Sequence, residues 1–319
     1  MNINCLICNK KENVKYIDDY KFEVEYDINY FGKLQIHSCD SCDIAFVSLP
    51  PDNESLDHFY KNIYRSADRP HNHDYNNSEN NYLDDRFLNY ILYLSTFLDF
   101  NKIKDVFDYG AGIGDLGFLL KKKYPHLNLH CNENDDYSVK ILEKRGYKNY
   151  KKMSEIDKKF DLIISLHCIE HLSNLNPLYD LKKILKIDGN LFIEVPNCPR
   201  KKYFDLRPYD SPHLIFFTKK SFEKVFNKMS MTFLDLSYSS YDLDYAFSAM
   251  SESKNIFGNW HPNKKNLRNT VKKIIPDFLI NLRRKILRFN RFEKNDRSIH
   301  FLNNNHNSWC IRALLKNNT

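Results

Sequence analysis

Four of the eight glycines in this 319-residue chain fall within one short stretch, Val106-Phe107-Asp108-Tyr109-Gly110-Ala111-Gly112-Ile113-Gly114-Asp115-Leu116-Gly117. A sequence this poor in glycine clusters it for a backbone reason. Val106-Phe107 reads as the end of a strand, and Leu116 with Phe118-Leu119-Leu120 opens a helical pattern. Between them Gly110, Gly112 and Gly114 permit positive φ and let a ligand approach the bare backbone. Strand, glycine turn and helix in this order are how doubly wound α/β folds hold a nucleotide-like cofactor. The closing G-x-x-G also matches the dinucleotide fingerprint, which keeps a nicotinamide dehydrogenase in view. A tight turn without a ligand is the bland alternative.

The downstream pattern agrees with an α/β core. Leu127–Glu133 reads as a second strand ending in an acid about 20 residues past the glycines, where a carboxylate receives ribose hydroxyls. Glu133 is therefore the expected ribose ligand. A helix over Tyr137–Arg145 stops at Gly146, a good residue to follow a helix end. Tyr147–Lys152 reads as a short third strand, with Met153 after it expected near an adenine. Phe160–Leu166 is a buried strand whose end, Leu166, completes the expected cofactor set. Leu181–Lys186 with Asp188-Gly189 reads as a helix and turn feeding the apolar strand Asn190–Asn197. A helix is expected over Lys219–Phe226, and strands over Met231–Ser237 and Ser308–Lys316. Upstream, Asp84–Leu98 has apolar residues at helical spacing.

Cys5-Leu6-Ile7-Cys8 and Cys39-Asp40-Ser41-Cys42 form two C-x₂-C knuckles. Two knuckles complete a tetrahedron of thiolates, and four sulfurs favour a closed structural zinc site. The residues between alternate aromatic and polar (Tyr20, Phe22, Val24, Tyr26, then Leu34, Ile36), as short ribbon strands do. No charged-then-apolar leader opens the chain and no apolar run reaches the roughly 18–20 residues of a membrane span, so a cytoplasmic protein with reduced or metal-bound cysteines is expected. Net charge is +7, but residues 264–291 alone hold ten Lys/Arg against Asp277. The basic character thus belongs to one arm. Its apolar residues at helical spacing (Val271, Ile274, Ile275, Phe278, Leu279, Leu282, Ile286) suit a docked helix with a solvated basic face, a peripheral contact with the inner membrane face, or a polyanion.

Asp108-x-Gly-x-Gly-x-Gly resembles motif I of class I S-adenosylmethionine-dependent methyltransferases. Phe160-Asp161-Leu162-Ile163-Ile164-Ser165 followed by His167-Cys168-Ile169-Glu170-His171-Leu172 resembles their motif IV. His213-Leu214-Ile215-Phe216-Phe217-Thr218 resembles a His-x₃-Phe-[Ser/Thr] element, and the run Ile44–Tyr64 after the second knuckle resembles a subfamily with an N-terminal zinc-knuckle pair, many of whose members act on sugars in surface-polysaccharide pathways. The resemblance implies a Rossmann-like sheet of seven strands with the last antiparallel, S-adenosylmethionine as cofactor, and Asp108 supporting the turn and the methionine part. It also implies a small-molecule or lipid-linked sugar acceptor.

Methyl transfer to a hydroxyl or carbon needs the acceptor positioned and a proton removed. His213, then His171, are the candidate bases; alternatively His167, Glu170, His171 and His213 gather a divalent metal, as in small-RNA and ubiquinone-pathway O-methyltransferases, which have Glu where this chain has His167. The histidines could also be structural. The expected organisation is a zinc-knuckle module at 1–50, a lid and packing helix at 51–100 (with the His71 and His73 loop), the methyltransferase core at 101–237, an aromatic and basic helical insertion at 238–307, and the last strand and tail at 308–319. Methylation of a sugar or glycan precursor at O or C is the leading reading. An RNA methyltransferase using the basic arm, or a catalytically silent cofactor-binding module, are the alternatives; no base-stacking motif favours nucleic acid.

Overall fold

The computed structural model describes residues 3–22, 25–64, 85–198, 212–239 and 310–319. Its main sheet is built from β4 (Asp105–Tyr109), β5 (Asn128–Asn132), β6 (Tyr147–Asn149), β7 (Phe160–Leu166), β8 (Leu185–Pro196), β10 (Met231–Ser239) and β11 (Cys310–Asn317). The order is β10-β11-β8-β7-β4-β5-β6, and only β11 runs against its neighbours. This is the Rossmann-like methyltransferase fold that the motifs imply. Its central strands are apolar on both faces, as strands covered by helices on both sides must be. Val106, Leu162, Ile164, Phe192 and Leu314 enter one core; their strand neighbours Phe107, Ile163, Leu191, Ile193, Ala313 and Leu315 enter the other. The two-residue period of extended chain divides them.

Helices α3 (Asp85–Phe97), α4 (Asp115–Lys123), α5 (Asp136–Lys144), α6 (Asn176–Lys183) and α7 (Lys219–Lys228) flank the sheet. Side chains close their ends: Asp135 accepts from the Ser138 N–H at 2.8 Å, and Thr218 accepts from the Ser221 N–H at 3.2 Å. Gly146 follows α5 at φ 80° as expected of a C′ glycine.

A second sheet has the order β1-β2-β3-β9, from β1 (Val14–Asp19), β2 (Gln35–Cys39), β3 (Ile44–Val47) and β9 (Ile215–Phe216). Its fourth strand comes from the far side of the chain, two residues after His213. Cys5, Ile7, Cys39, Cys42, Ile44 and Phe46 also share a core with Phe217, Phe222 and Phe226.

Two local expectations are corrected. The alternation from Tyr20 to Tyr26 does not carry one strand through: β1 ends at Asp19, and Glu25–Phe31 is helix α1. Its last residue, Phe31, packs against Phe22 and against Phe59 of α2 (Asn53–Asn62), with ring centroids 6.2 and 4.7 Å away. Tertiary packing there overrides a two-residue pattern. The Asp188-Gly189 turn does not precede β8 but lies inside it. Phe160 pairs with Leu185 while Leu162 pairs with Asn190, so the intervening residues bulge out, with Asp188 at φ 63°. The lid loop with His71 and His73, the residues Tyr241, Tyr245, Phe247 and Trp260, and the basic arm 264–291 lie outside the described residues.

Gly117 sits inside α4 with a Cβ position only 2.1 Å from the Tyr147 hydroxyl, which donates to the Gly114 carbonyl at 2.8 Å. Helix propensity favours Gly117→Ala by up to about 1 kcal/mol, but the added methyl must push aside a buried ring and its hydrogen bond. The expected result in urea unfolding is a net loss of about 1–3 kcal/mol. A stabilised variant would show that helix and strand do not approach this closely.

Candidate active site

Each cysteine knuckle is a turn closed by a residue with positive φ, Asn9 at 58° after Cys8 and Asp43 at 55° after Cys42. Asn and Asp tolerate this conformation best among non-glycine residues. The Asn9 N–H donates to the Cys5 carbonyl at 3.0 Å and the Asp43 N–H to the Cys39 carbonyl at 2.8 Å. The four thiols lie within 4.8 Å of one another, with Cys8 and Cys39 Sγ 3.9 Å apart. Four sulfurs at 2.3 Å around a tetrahedral zinc stand about 3.8 Å apart, so the set fits that ion. Burial pushes Cys5 up strongly and Cys42 to about 11, so a cation is what would hold these sulfurs as thiolates. Helix α7 grips both knuckles: Lys224 Nζ donates to the Ser41 carbonyl and Lys228 Nζ to the Ile7 carbonyl, each at 2.7 Å, while the Thr218 hydroxyl donates to the Asp43 carbonyl at 2.8 Å.

At the carboxyl edge of the main sheet, Gly110, Gly112 and Gly114 have φ of 68°, 55° and 73°. A Cβ on Gly110 would lie 2.2 Å from Cys168 Sγ, so the loop is pressed against the turn after β7. Glu133, one residue past β5, reaches back over the loop. One of its oxygens accepts from the Gly112 N–H at 2.7 Å, the other from the N–H groups of Asn134 and Asp135 at 3.0 Å. Asp108 is buried in β4 beneath them; burial, with the charges of Glu133 and Asp115, pushes its carboxyl up to about 7. Met153 opens the short 3-10 turn Met153–Glu155, and Leu166 ends β7, both half-buried. The expected cofactor residues therefore follow or end β4, β5, β6 and β7 along one edge of the sheet.

The four residues expected to act on the acceptor divide into two groups. Glu170, His171 and His213 place ligand atoms within 4.8 Å of one another, and the His171 and His213 rings meet edge-on at 4.6 Å. Both oxygens of Glu170, only 2% exposed, lack a hydrogen-bond partner among the described residues, as does His171 Nδ1. Burial depresses both imidazoles to about 3, His213 adding its repulsion at His171 and His167 at His213. His167 leaves β7 in a left-handed conformation, φ 51°, costly for a non-glycine residue and typical of functional turns. Its Nδ1 lies 3.6 Å from Glu170 Oε1, and its Nε2 lies 3.4 Å from Glu194 Oε1 and 4.0 Å from Cys310 Sγ.

Glu194 was not singled out by motif, yet it anchors the neighbouring network. Fully buried, it accepts from Arg312 Nε and pairs with Nη2, both at 3.0 Å, and accepts from the hydroxyls of Ser239 at 2.7 Å and Tyr90. Burial would raise its pKa, but Arg312 and His167 outweigh that and hold it at about 2. The available signal was a lone charge in each of two apolar strands, Leu191-Phe192-Ile193-Glu194-Val195 and Cys310-Ile311-Arg312-Ala313-Leu314.

Residues 80–230 match the family model described as a methyltransferase domain. A stretch of 126 residues is 29% identical to an uncharacterized protein of Methanocaldococcus jannaschii, covering 35% of this chain and 56% of that protein, so the match spans about half the relative's length. Among solved structures, the plantazolicin methyltransferase in complex with S-adenosylhomocysteine is similar at TM-score 0.46 and 17% identity, over 82% of this chain and 94% of that one. The O-methyltransferase of a Brevibacillus brevis trans-AT polyketide synthase is similar at TM-score 0.41 and 14% identity, over 73% and 71%.

The two depressed histidines set a pH dependence. Folded pKa values near 3, against 6.5 in the unfolded chain, mean that the unfolded state takes up protons first as pH falls below about 6.5. Their contribution is complete above that pH and is lost progressively towards 3, by about 2 kcal/mol per histidine at pH 5. Urea unfolding at pH 7.5 and 5 is expected to show this loss, and a His171→Gln/His213→Gln double variant a much smaller one. Equal pH slopes would mean that these rings are solvated.

Proposed function

We propose that this chain, which carries a methyltransferase domain over residues 80–230, transfers the methyl group of S-adenosylmethionine to a hydroxyl or carbon of a sugar or glycan precursor. The observation that supports this most is the convergence of the positive-φ glycine loop and Glu133 at one end of β4 and β5, with a histidine–carboxylate cluster beside them at the end of β7. When bound, the cofactor supplies a methyl group on a sulfonium, electrophilic enough for in-line displacement. Glu133, a carboxylate that follows β5 and reaches the glycine loop, is the group to accept ribose hydroxyls. The glycine backbone admits the cofactor closely, and Asp108, with a pKa near 7, is poised to ionise beside a cationic ligand. The sugar class is supported by the resemblance of the cysteine pairs and the run Ile44–Tyr64 to sugar-modifying methyltransferases.

For proton removal the geometry favours His167 over His213 and His171. The latter two are dry and hold a proton only near pH 3, which makes them weak bases at neutral pH. The side chain of His167 is 29% exposed and flanked by two carboxylates that would stabilise its imidazolium. Glu194 orients it and is itself fixed by Arg312, Tyr90 and Ser239. A second reading rests on Glu170, a buried carboxylate without a hydrogen-bond donor among the described residues: with His171 and His213 it could hold a divalent ion that orients an acceptor diol. Two imidazoles and one carboxylate suit zinc or manganese better than magnesium.

Calorimetric titration with S-adenosylhomocysteine, NAD and NADP, with metal content read on the same sample, tests these assignments. The expected outcome is S-adenosylhomocysteine binding alone, about one zinc per chain, and no cofactor binding by Gly112→Asp. Nicotinamide binding, or an unchanged affinity in that variant, would sink the cofactor assignment. A second equivalent of metal lost in His213→Ala would favour the metal reading. With labelled S-adenosylmethionine and nucleoside-diphosphate hexoses, His167→Gln should lower turnover by roughly 10²–10⁴ while leaving S-adenosylhomocysteine affinity intact.

A further inference from the structure

The helix that follows the cysteine module spans the carboxyl edge of the main sheet. On α2, Asp57 accepts from Asn134 Nδ2 at 3.2 Å and Lys61 lies 3.9 Å from Asp136, beyond β5; Asn53 accepts from the Ser173 hydroxyl at 3.0 Å, beyond β7. The helix is thus tied to the segments that follow two strands of the sheet, β5 and β7. Its apolar face, Leu56 and Phe59, is buried, and α1 braces it through the Tyr30 hydroxyl, which donates to the Ser55 carbonyl at 3.0 Å.

Tyr60 lies between these ties. Its ring meets His171 edge-on, centroids 5.7 Å apart at 79°. Its hydroxyl is buried and has no hydrogen-bond partner among the described residues. The same holds for both oxygens of Glu170 and for Nδ1 of the contacted His171. A single unpaired buried hydroxyl costs roughly 1–3 kcal/mol; several unpaired polar groups on adjoining residues mark a place where a polar ligand completes the set.

We propose that Tyr60 is an acceptor-binding residue, its phenol donating a hydrogen bond to an oxygen of a hydroxyl-bearing acceptor held against His171. The proposal rests on the methyl-transfer reading and adds to it a residue outside the matched domain, contributed by the segment that the cysteine module anchors. Burial and the neighbouring Tyr64, Cys168 and Glu170 keep the phenol protonated. It therefore serves as a donor that orients the acceptor and takes no part in proton removal.

The test is Tyr60→Phe, read first without acceptor. Because the hydroxyl has no hydrogen-bond partner among the described residues, urea unfolding should show equal or higher stability, and the S-adenosylhomocysteine dissociation constant should stay within about twofold. Tyr30→Phe, which removes a paired hydroxyl, should lose stability in the same assay. A clear loss of stability in Tyr60→Phe would reveal a structural partner for the hydroxyl and overturn the proposal. In the second arm, on whichever nucleoside-diphosphate hexose the unmodified chain methylates, kcat/KM for the sugar should fall at least tenfold with KM for S-adenosylmethionine unchanged. An unchanged kcat/KM overturns it. Should no hexose be methylated by the unmodified chain, the sugar reading fails, and the stability comparison decides on Tyr60 by itself.

Discussion

Leu214 joins the two sheets of this protein. Its N–H donates to the Glu170 carbonyl and its carbonyl accepts from the Val47 N–H, both at 2.8 Å. One backbone unit therefore ties the cysteine-bearing sheet to the turn after β7 and fixes His213 beside His171. The next two residues continue the tie as β9, paired with Ala45 and Phe46 of β3. The Phe217 carbonyl then accepts from the Cys198 N–H at 2.9 Å. Any shift of the knuckle sheet is transmitted through covalent neighbours to the histidine cluster, because hydrogen-bonded strands move as a unit. The four-cysteine module is thereby joined through the backbone to the histidine cluster: its sheet pairs with the strand that follows His213.

The site also shows two opposite treatments of buried charge. Glu194 is matched by a guanidinium and two hydroxyls, and Arg312 is further covered by the rings of Tyr90 and Tyr93 at 5.5 and 4.9 Å. A pair so enclosed is costly to desolvate and costlier to break, since a lone partner would be left in the dry interior. Glu170 is equally buried but lacks donors among the described residues. His167 lies between the two carboxylates. The satisfied carboxylate gives a rigid support, and the unsatisfied one leaves capacity for a ligand or ion.

Much of the core was legible in local patterns. The glycine loop, the acid at 133, the C′ glycine at 146 and the apolar strands Phe160–Leu166 and Asn190–Asn197 each act within a few residues, where backbone sterics and two-residue periodicity are decisive. Where a pattern was ambiguous, distant packing chose. The aromatic alternation from Tyr20 to Tyr26 suited a strand, but Phe31 needed Phe22 and Phe59 as neighbours and the chain turned helical. The Asp188-Gly189 turn was real, yet the pairing of β7 with β8 absorbed it as a bulge.

Thus the fold class, the place of the glycine loop and the pairing of the cysteine knuckles were readable from the chain alone, because these follow from short-range conformational and ligand-spacing rules. Which histidine meets which carboxylate was settled by long-range packing. His-x-x-Glu-His and a later His suggested one set of four, whereas His167 lies between two carboxylates, its Nδ1 3.6 Å from Glu170 and its Nε2 3.4 Å from Glu194. That choice depends on β11 inserting between β8 and β10, which brings Arg312 onto Glu194 across 118 positions of chain. Strand order is settled by the burial of whole faces, and no local pattern in the chain encodes it.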